Sequence, residues 1–246
     1  MNVPRIVVFS SLLVVQREGL MRDPEHHLFF TDRTTPKRLH LDREEYYHAV
    51  SVLRLRGDQP FQVTDGTGSI FTCRRLEEAD DGGYAAIVSR RGCTRPVPRI
   101  SLLVGLPARA AFERVLEQAV PLGVTRIVPV VCRACQEHWW KPKWEKLSPR
   151  FRKKMIEAMK QSLGGFLPEL AKPVSLAEAL DDTTACCLVA QQDGTPLLQA
   201  VREKEPEEIA CVVGPPGGLS DRERHRLRGR GALAVTLAPT RLRTEL

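Results

Sequence analysis

The chain has 246 residues, 42% of them hydrophobic, so it is long enough to bury a core in one large domain or in two modest ones. Its 37 Lys and Arg residues against 30 Asp and Glu residues give a net charge of +7, which favours a polyanionic partner without establishing one. Seven cysteines without regular spacing argue against an extracellular disulfide framework and indicate the reduced thiols of a cytoplasmic protein.

The N-terminal segment begins with a basic residue, Arg5, and an apolar run at 6–15. The run has the length of the apolar part of a signal peptide, and it is too short to span a bilayer. No small-residue cleavage site follows it. We therefore interpret residues 1–20 as an N-terminal extension upstream of a start at Met21.

Residues 21–92 have the pattern of a small β-barrel. The predicted strands are 27–31, 61–64, 69–73 and 84–88. Glycine turns after Asp65 and Asp81 separate the later strands, as in hairpins. This region is the first of the two domains that we predict.

One helix interrupts the predicted barrel. Asp42 and Glu45 form an N-terminal capping arrangement before an apolar stripe. The basic end of this stretch carries His48, Arg54 and Arg56, which are candidate RNA-binding residues. The alternative is an amphipathic cover helix with a solvated polar face.

The second domain is predicted to begin at residue 100, after a segment rich in proline and arginine at 91–99. Its predicted strands are 100–104, 126–131, 185–190, 209–213 and 233–237, and its predicted helices are 112–122, 144–163 and 195–203. Continuous apolar strands that alternate with helices predict an α/β fold with a parallel sheet covered on both faces.

Two C-terminal motifs predict a ligand site. Residues 214–220 (GPPGGLS) follow a strand and end at Ser220, which with Glu223 forms a capping box; residues 242–245 (LRTE) follow the next strand. Carboxyl ends of parallel strands share one edge of a sheet, so both loops should face one pocket. The chain has neither a P-loop nor a dinucleotide-binding glycine motif after the first strand of this domain.

A pocket lined by small residues and bare backbone fits an adenosine cofactor without phosphates, such as S-adenosylmethionine. An adenosine-nucleotide hydrolase is disfavoured because no phosphate loop is present. The candidate cofactor-binding residues are Gly214, Pro215, Gly217, Gly218, Leu237, Leu242 and Thr244.

Cys132, Cys135 and His138 have the spacing of metal ligands. A structural zinc needs four ligands, and the other clustered cysteines, Cys186 and Cys187, are adjacent within a predicted buried strand. We therefore predict no metal site.

A stretch that mixes aromatic and basic residues begins at His138 and continues to Lys154. Such mixtures are typical of RNA-binding faces, which favours RNA contacts from Lys141 and Lys143. The alternative is a solvated helix with core tryptophans. The arginines at 222–230 spread around their helix, which favours simple solvation.

Several motifs occur in a characteristic order. They are 27–30, 47–49, 52–58 and 65–66 in the N-terminal part, and 122–129, 157–162, Pro168, 214–220 and 242–245 in the C-terminal part. In this order they resemble the SPOUT-class methyltransferases that methylate N3 of a uridine in 16S ribosomal RNA.

This resemblance implies a PUA-like β-barrel for RNA, an α/β methyltransferase domain at 100–246 with a deep trefoil knot, and a homodimer that completes the active site. It also implies S-adenosylmethionine as cofactor and 16S rRNA or the small ribosomal subunit as partner. Arg243 is the candidate for stabilising a uridine oxyanion, and Glu245 is a candidate orienting group or base. The alternative is that Arg243 and Glu245 only pair with each other.

The chain departs from the family pattern at several positions. Small or neutral residues replace charged or hydroxyl ones at Ala108 or Ala111, Gln118, Pro121, Ala134–Cys135 and Pro216, and Ala238 replaces a glycine. The family also continues beyond the last motif into a helix that closes the knot, whereas this sequence stops at Leu246. These departures leave an alternative open, namely a catalytically impaired RNA-binding remnant of the same family.

Overall fold

The computed structural model describes residues 27–135, 140, 143–183, 185–201, 206–240 and 242–245. The predicted extension at 1–20 lies outside these residues. The described parts of the chain contain two β-sheets, and each sheet has its own apolar core. No helix within them is long and apolar enough to cross a membrane.

The N-terminal sheet is curled and mostly antiparallel. Its strands are β1 (Leu28–Phe30), β2 (Arg33–Thr34), β3 (Arg38–Asp42), β4 (Phe61–Thr64), β5 (Ser69–Ala79) and β6 (Gly82–Gly92). Their order is β1-β4-β5-β6-β3-β2, and only the β1–β4 pair is parallel. All four predicted strands are confirmed, whereas β2 and β3 were not predicted. A PUA-like closure of this sheet stays a prediction.

Helix α1 (Arg43–Tyr47) begins where the sequence predicted, because the Asp42 carboxylate accepts a hydrogen bond from the Glu45 N–H at 2.8 Å. It is much shorter than predicted. A single π-helical turn at His48–Val52 follows it, and Arg54 then adopts a left-handed φ of 53°. This conformation is unfavourable for a residue with a side chain, and it separates the helix from β4.

The C-terminal sheet is entirely parallel, which confirms the prediction. Its strands are β7 (Arg99–Gly105), β8 (Arg126–Val131), β9 (Glu169–Leu170), β10 (Val174–Ser175), β11 (Cys186–Pro196), β12 (Glu208–Val213) and β13 (Leu233–Thr236). Their order is β10-β8-β7-β12-β11-β13, with β9 also paired to β8.

Helices cover both faces of this sheet. They are α2 (Arg109–Ala119), α3 (Trp144–Gln161), α4 (Leu176–Asp181), α5 (Leu197–Val201) and α6 (Asp221–Gly229). Leu103 of β7 packs in a cluster with residues of α4 and α6, whereas its neighbour Val104 packs in a cluster with residues of α2 and α3. Successive side chains of a strand point to opposite faces of the sheet, so a continuous apolar sequence is buried on both faces.

Aromatic side chains join α2 to α3. The Phe112 and Phe151 rings meet edge to face with centroids 5.2 Å apart, and the Trp144 ring lies 5.5 Å from that of Phe151. Phe112 and Phe151 are fully buried. These two helices therefore pack as one layer beneath the sheet.

The two sheets contact each other through α1 and α3. The Glu45 carboxylate accepts the Phe30 N–H at 3.3 Å and pairs with Lys160, and the two charged side chains are only 12% and 18% exposed. Backbone hydrogen bonds add to this contact: Gly68 donates to Gly165 at 2.7 Å, and Leu167 donates to Gly66 at 2.8 Å. The half-buried ion pair and these backbone hydrogen bonds together hold the two units against each other.

We expect Phe151→Ala to lower the free energy of unfolding by about 3–5 kcal/mol, because it opens a cavity at the centre of the α2–α3 layer. Leu122→Ala is the control, since Leu122 is 75% exposed and its loss should cost about 0.5 kcal/mol or less. Chemical denaturation of both variants measures the difference. Equal losses in the two variants would contradict the aromatic contact as a major source of stability.

Candidate active site

The candidate site lies at the point of the parallel sheet where the chain changes the side on which it adds strands. From β7 the chain first adds β8 on one side, and it later adds β12 on the other. Ligands of open α/β sheets bind at such a switch point, outside the carboxyl ends of the strands. A Cβ atom on Gly105, the last residue of β7, would lie 2.5 Å from the nitrogen of Pro215. The loop after β12 therefore packs directly on the end of β7.

The turn at 214–218, here called the glycine turn, has one packed side and one open side. The Gly218 N–H donates to the Pro215 carbonyl at 2.7 Å, and Gly218 has a left-handed φ of 78° with open space where a Cβ would be. A Cβ on Gly217 would lie 2.7 Å from the Cβ of Ala134. The packed side thus rests on the loop after β8.

The predicted capping box of α6 is confirmed, and it also reaches a second loop. The Ser220 N–H donates to Glu223 at 2.7 Å, and the Glu223 N–H donates to the Ser220 hydroxyl at 3.4 Å. The other oxygen of Glu223 accepts the Arg133 N–H at 2.9 Å. Burial opposes ionisation, but these hydrogen bonds outweigh it and hold the pKa of Glu223 below 4.5.

The second C-terminal motif contacts the first. The Thr244 hydroxyl donates to the Gly214 carbonyl at 3.0 Å. Leu242 and Leu237 are exposed beside these loops, with 41% and 53% of their surfaces accessible. The structure therefore brings the two motifs together, as the predicted pocket requires.

Glu245 pairs with a residue that the sequence did not single out. Its carboxylate lies 3.0 Å from Arg114 of α2 and is 11% exposed, whereas Arg243 is exposed. A backbone hydrogen bond within Glu245, the Arg114 hydrogen bond and the nearby charge of Arg243 lower the pKa of Glu245. The alternative in which Arg243 and Glu245 pair only with each other does not describe this arrangement.

The two thiols at the end of β8 interact with each other. The Cys132 N–H donates to the Cys135 sulfur at 3.3 Å, and the hydrogen bond between the side chains lowers the pKa of Cys135 and raises that of Cys132. Cys186 and Cys187 lie in β11, as predicted. Among the described residues no group of three or more potential metal ligands is close enough to hold a metal ion; His138 lies outside them.

The candidate RNA-binding residues of the N-terminal sheet lie around the π-helical turn. The His48 ring packs edge to face on Phe29 at 5.8 Å, so His48 is half-buried. Arg54 and Arg56 are exposed in the loop before β4, and neither forms an ion pair with another described residue. Lys143 is exposed before α3, and Lys141 lies outside the described residues.

The interpretation of the stretch from His138 to Lys154 as a stacking surface is wrong for Trp140, whereas Trp139 lies outside the described residues. Trp140 and Trp144 are 6% and 7% exposed, because both pack in the apolar cluster beneath the sheet. Several cations of α3 are also occupied by carboxylates of the protein. The pairs are Arg150 with Glu113, Lys153 with Glu44, and Lys154 with Glu117.

The substituted positions lie at the site or on α2. Ala108 precedes the first turn of α2 without a side-chain cap, and Ala111 is buried. Gln118 is exposed, and Ala134 is the residue against which Gly217 packs. Sequence reasoning missed Gly105, Arg114 and the Arg133–Glu223 contact, since each depends on strands or helices far apart in the chain.

Comparison with known proteins identifies the family. Residues 94–245 match the RNA methyltransferase domain. The chain belongs to this RNA methyltransferase family. The match covers the whole parallel sheet and both C-terminal motifs, so the resemblance to RNA methyltransferases is confirmed, whereas methylation of N3 of a uridine stays a prediction.

Curated relatives extend the similarity into the N-terminal sheet. The ribosomal RNA small subunit methyltransferase E of Mycobacterium tuberculosis is 29% identical over 211 residues, which are 83% of this chain and 80% of that protein. The protein of the same name from Aquifex aeolicus is 28% identical over 225 residues, which are 89% of this chain and 94% of that protein.

Solved structures share the same arrangement. The ribosomal RNA small subunit methyltransferase E of Neisseria gonorrhoeae, bound to S-adenosylmethionine, has a TM-score of 0.77 at 26% identity and matches 89% of this chain and 92% of its own. A Legionella pneumophila protein solved with S-adenosylmethionine has a TM-score of 0.79 at 25% identity, over 92% of this chain and 93% of its own. The SPOUT-type α/β fold class is confirmed; the knot stays a prediction.

We expect Glu223→Gln to cost about 1 kcal/mol of unfolding free energy at neutral pH, because a neutral amide caps more weakly and cannot accept both backbone N–H groups. A lowered pKa in the folded state stabilises the protein above the unfolded value of 4.5, and this contribution is lost as the pH falls through the folded value. The difference between wild type and Glu223→Gln should therefore shrink below about pH 4.5.

The control is Glu178→Gln, which alters the capping box of α4 with Ser175 and no contact to a second loop. Denaturation curves at several pH values measure both variants. A loss in Glu178→Gln as large as that in Glu223→Gln would show that the Arg133 contact adds nothing.

Proposed function

We propose that this chain transfers a methyl group from S-adenosylmethionine to N3 of a uridine in 16S ribosomal RNA. The observation that carries the proposal is the Thr244–Gly214 hydrogen bond, which joins the two predicted cofactor loops at the switch point of the sheet. Membership in the RNA methyltransferase family supports the reaction class. The relatives named above support the small-subunit RNA as substrate.

The residues at this site suit an adenosine cofactor without phosphates. The glycine turn offers backbone N–H and C=O groups, and its open side at Gly218 leaves room for a ligand. Gly105 and Gly217 leave no space for a Cβ atom, so the strand end and the loops approach each other closely at these two positions. Leu237 and Leu242 present exposed apolar surface beside it.

When bound, the cofactor would supply an electrophilic methyl carbon, whose bond to the sulfonium sulfur would break as the bond to the uridine nitrogen forms, with the neutral thioether as leaving group. The task of the protein is to align that nitrogen and to manage its proton. Arg243 is exposed and directly precedes Thr244, which contacts the glycine turn, and we assign its guanidinium the role of stabilising negative charge on a uridine oxygen. Glu245, with its lowered pKa and its Arg114 partner, is better suited to orienting the loop than to accepting the N3 proton.

The substrate would also contact the N-terminal sheet. Arg54 and Arg56 are exposed and unpaired among the described residues, so they are available to phosphates, whereas much of α3 is not. A cytoplasmic location and a homodimer belong to the same proposal. The alternative of an impaired RNA-binding remnant is not favoured by relatives that cover most of the chain.

We expect the wild-type chain to bind S-adenosylmethionine in a calorimeter and Gly217→Val to lose that binding at least tenfold, because the branched side chain would displace Ala134 and distort the turn. Gly229→Val is the matched control, since a Cβ there meets nothing within 4 Å. No heat from a folded wild-type sample at millimolar cofactor would favour the RNA-binding remnant. If the wild-type chain binds the cofactor, nucleoside mass spectrometry of 16S rRNA treated with the protein and cofactor would identify the methylated position.

We expect the double variant Arg54→Ala, Arg56→Ala to weaken binding to 16S rRNA. It should also reduce the magnitude of the slope of log K against log salt by about 1 to 2, because fewer counterions are released when two phosphate contacts are lost. The control removes the same charge elsewhere, with Arg226→Ala and Arg228→Ala on α6. An unchanged slope in the first pair, or an equal change in both, would assign these arginines to solvation.

A further inference from the structure

The C-terminal motif is anchored by two consecutive residues. Thr244 donates to the Gly214 carbonyl, and Glu245 pairs with Arg114 at 3.0 Å. Because the two partners lie on the glycine turn and on α2, the segment 242–245 is fixed between them. We call this segment the terminal clamp.

Arg114 pairs with Glu245 of the terminal clamp, whereas two carboxylates of its own helix, α2, pair with cations of α3. Glu113 accepts two hydrogen bonds from Arg150, at 3.0 and 3.2 Å, and Glu117 pairs with Lys154. Arg114 faces outward on α2 with a side chain that is 52% exposed, whereas the Glu245 side chain is 11% exposed. The contact is exposed on the Arg114 side, so its effect lies in positioning Glu245 and contributes little to the free energy of unfolding.

We propose that Arg114 is a positioning residue for the cofactor site, which holds the terminal clamp against the glycine turn through Glu245 before the cofactor binds. The proposal rests on the proposed function and names a residue that acts through another. Glu245 brings Thr244 to Gly214, and it also fixes the backbone that carries Arg243. Without Arg114, the clamp would have to be ordered at the moment of binding, which lowers the apparent affinity for the cofactor.

The test compares variants of the 246-residue chain by calorimetry with S-adenosylmethionine and by hydrogen exchange at 237–245 without it. Arg114→Met keeps the aliphatic stem and removes the charge, and we expect about three- to tenfold weaker cofactor binding with faster exchange in this segment. Lys172→Met is the matched control. It breaks an exposed ion pair with Glu145 of similar length, 2.9 Å, and should change neither measurement.

A charge exchange separates the ion pair from a merely structural effect of Arg114. We expect Arg114→Glu and Glu245→Arg each to weaken cofactor binding, and the double variant to recover at least half of the loss on a logarithmic scale. Wild-type affinity with unchanged exchange in Arg114→Met would overturn the positioning role, and so would a double variant no better than its parents. Absence of cofactor binding by every protein, wild type included, would instead overturn the proposed function.

Discussion

The structure of the candidate site depends on the close approach of two backbone segments in the middle of the parallel sheet. Gly105 ends β7 where the glycine turn begins on the neighbouring strand, and no side chain fits between them. Because β7 is also paired with β8, the loop that carries Ala134 meets the same turn. The terminal clamp then closes on Gly214. The loops proposed to hold the cofactor are thereby positioned by close backbone packing together with the side-chain contacts of Thr244 and Glu245.

Charges within the protein account for much of the basic surface that the composition suggests. The carboxylates of α1 and α2 neutralise Lys153, Lys154, Arg150 and Lys160, and thereby hold α3 against both neighbouring units. Charge on an isolated sequence cannot distinguish these internal pairs from phosphate contacts. A positive net charge consequently overstates the number of cations available to a nucleic acid.

The parallel sheet could be predicted from sequence because its strands are continuous apolar runs, and β8 matches its predicted bounds residue for residue. Strand β3 was missed because it buries a polar residue, His40, which pairs with Asp81, 41 residues away. A polar residue at that position does not predict a buried strand. Trp140 was misassigned for a similar reason, because an aromatic residue can pack in a core or form a stacking surface. The Arg114–Glu245 pair joins residues 131 positions apart, and no local motif reports it.

The half-buried Glu45–Lys160 pair helps to set the distance between the two units of the molecule. It joins the N-terminal sheet to α3, and α3 packs through its aromatic side chains on α2, which holds the terminal clamp. If RNA contacts both units as proposed, the protein sets the distance between the RNA segment bound by the N-terminal sheet and the target base. A folded RNA is then selected by the distance between two of its parts, and few contacts that read base identity are needed.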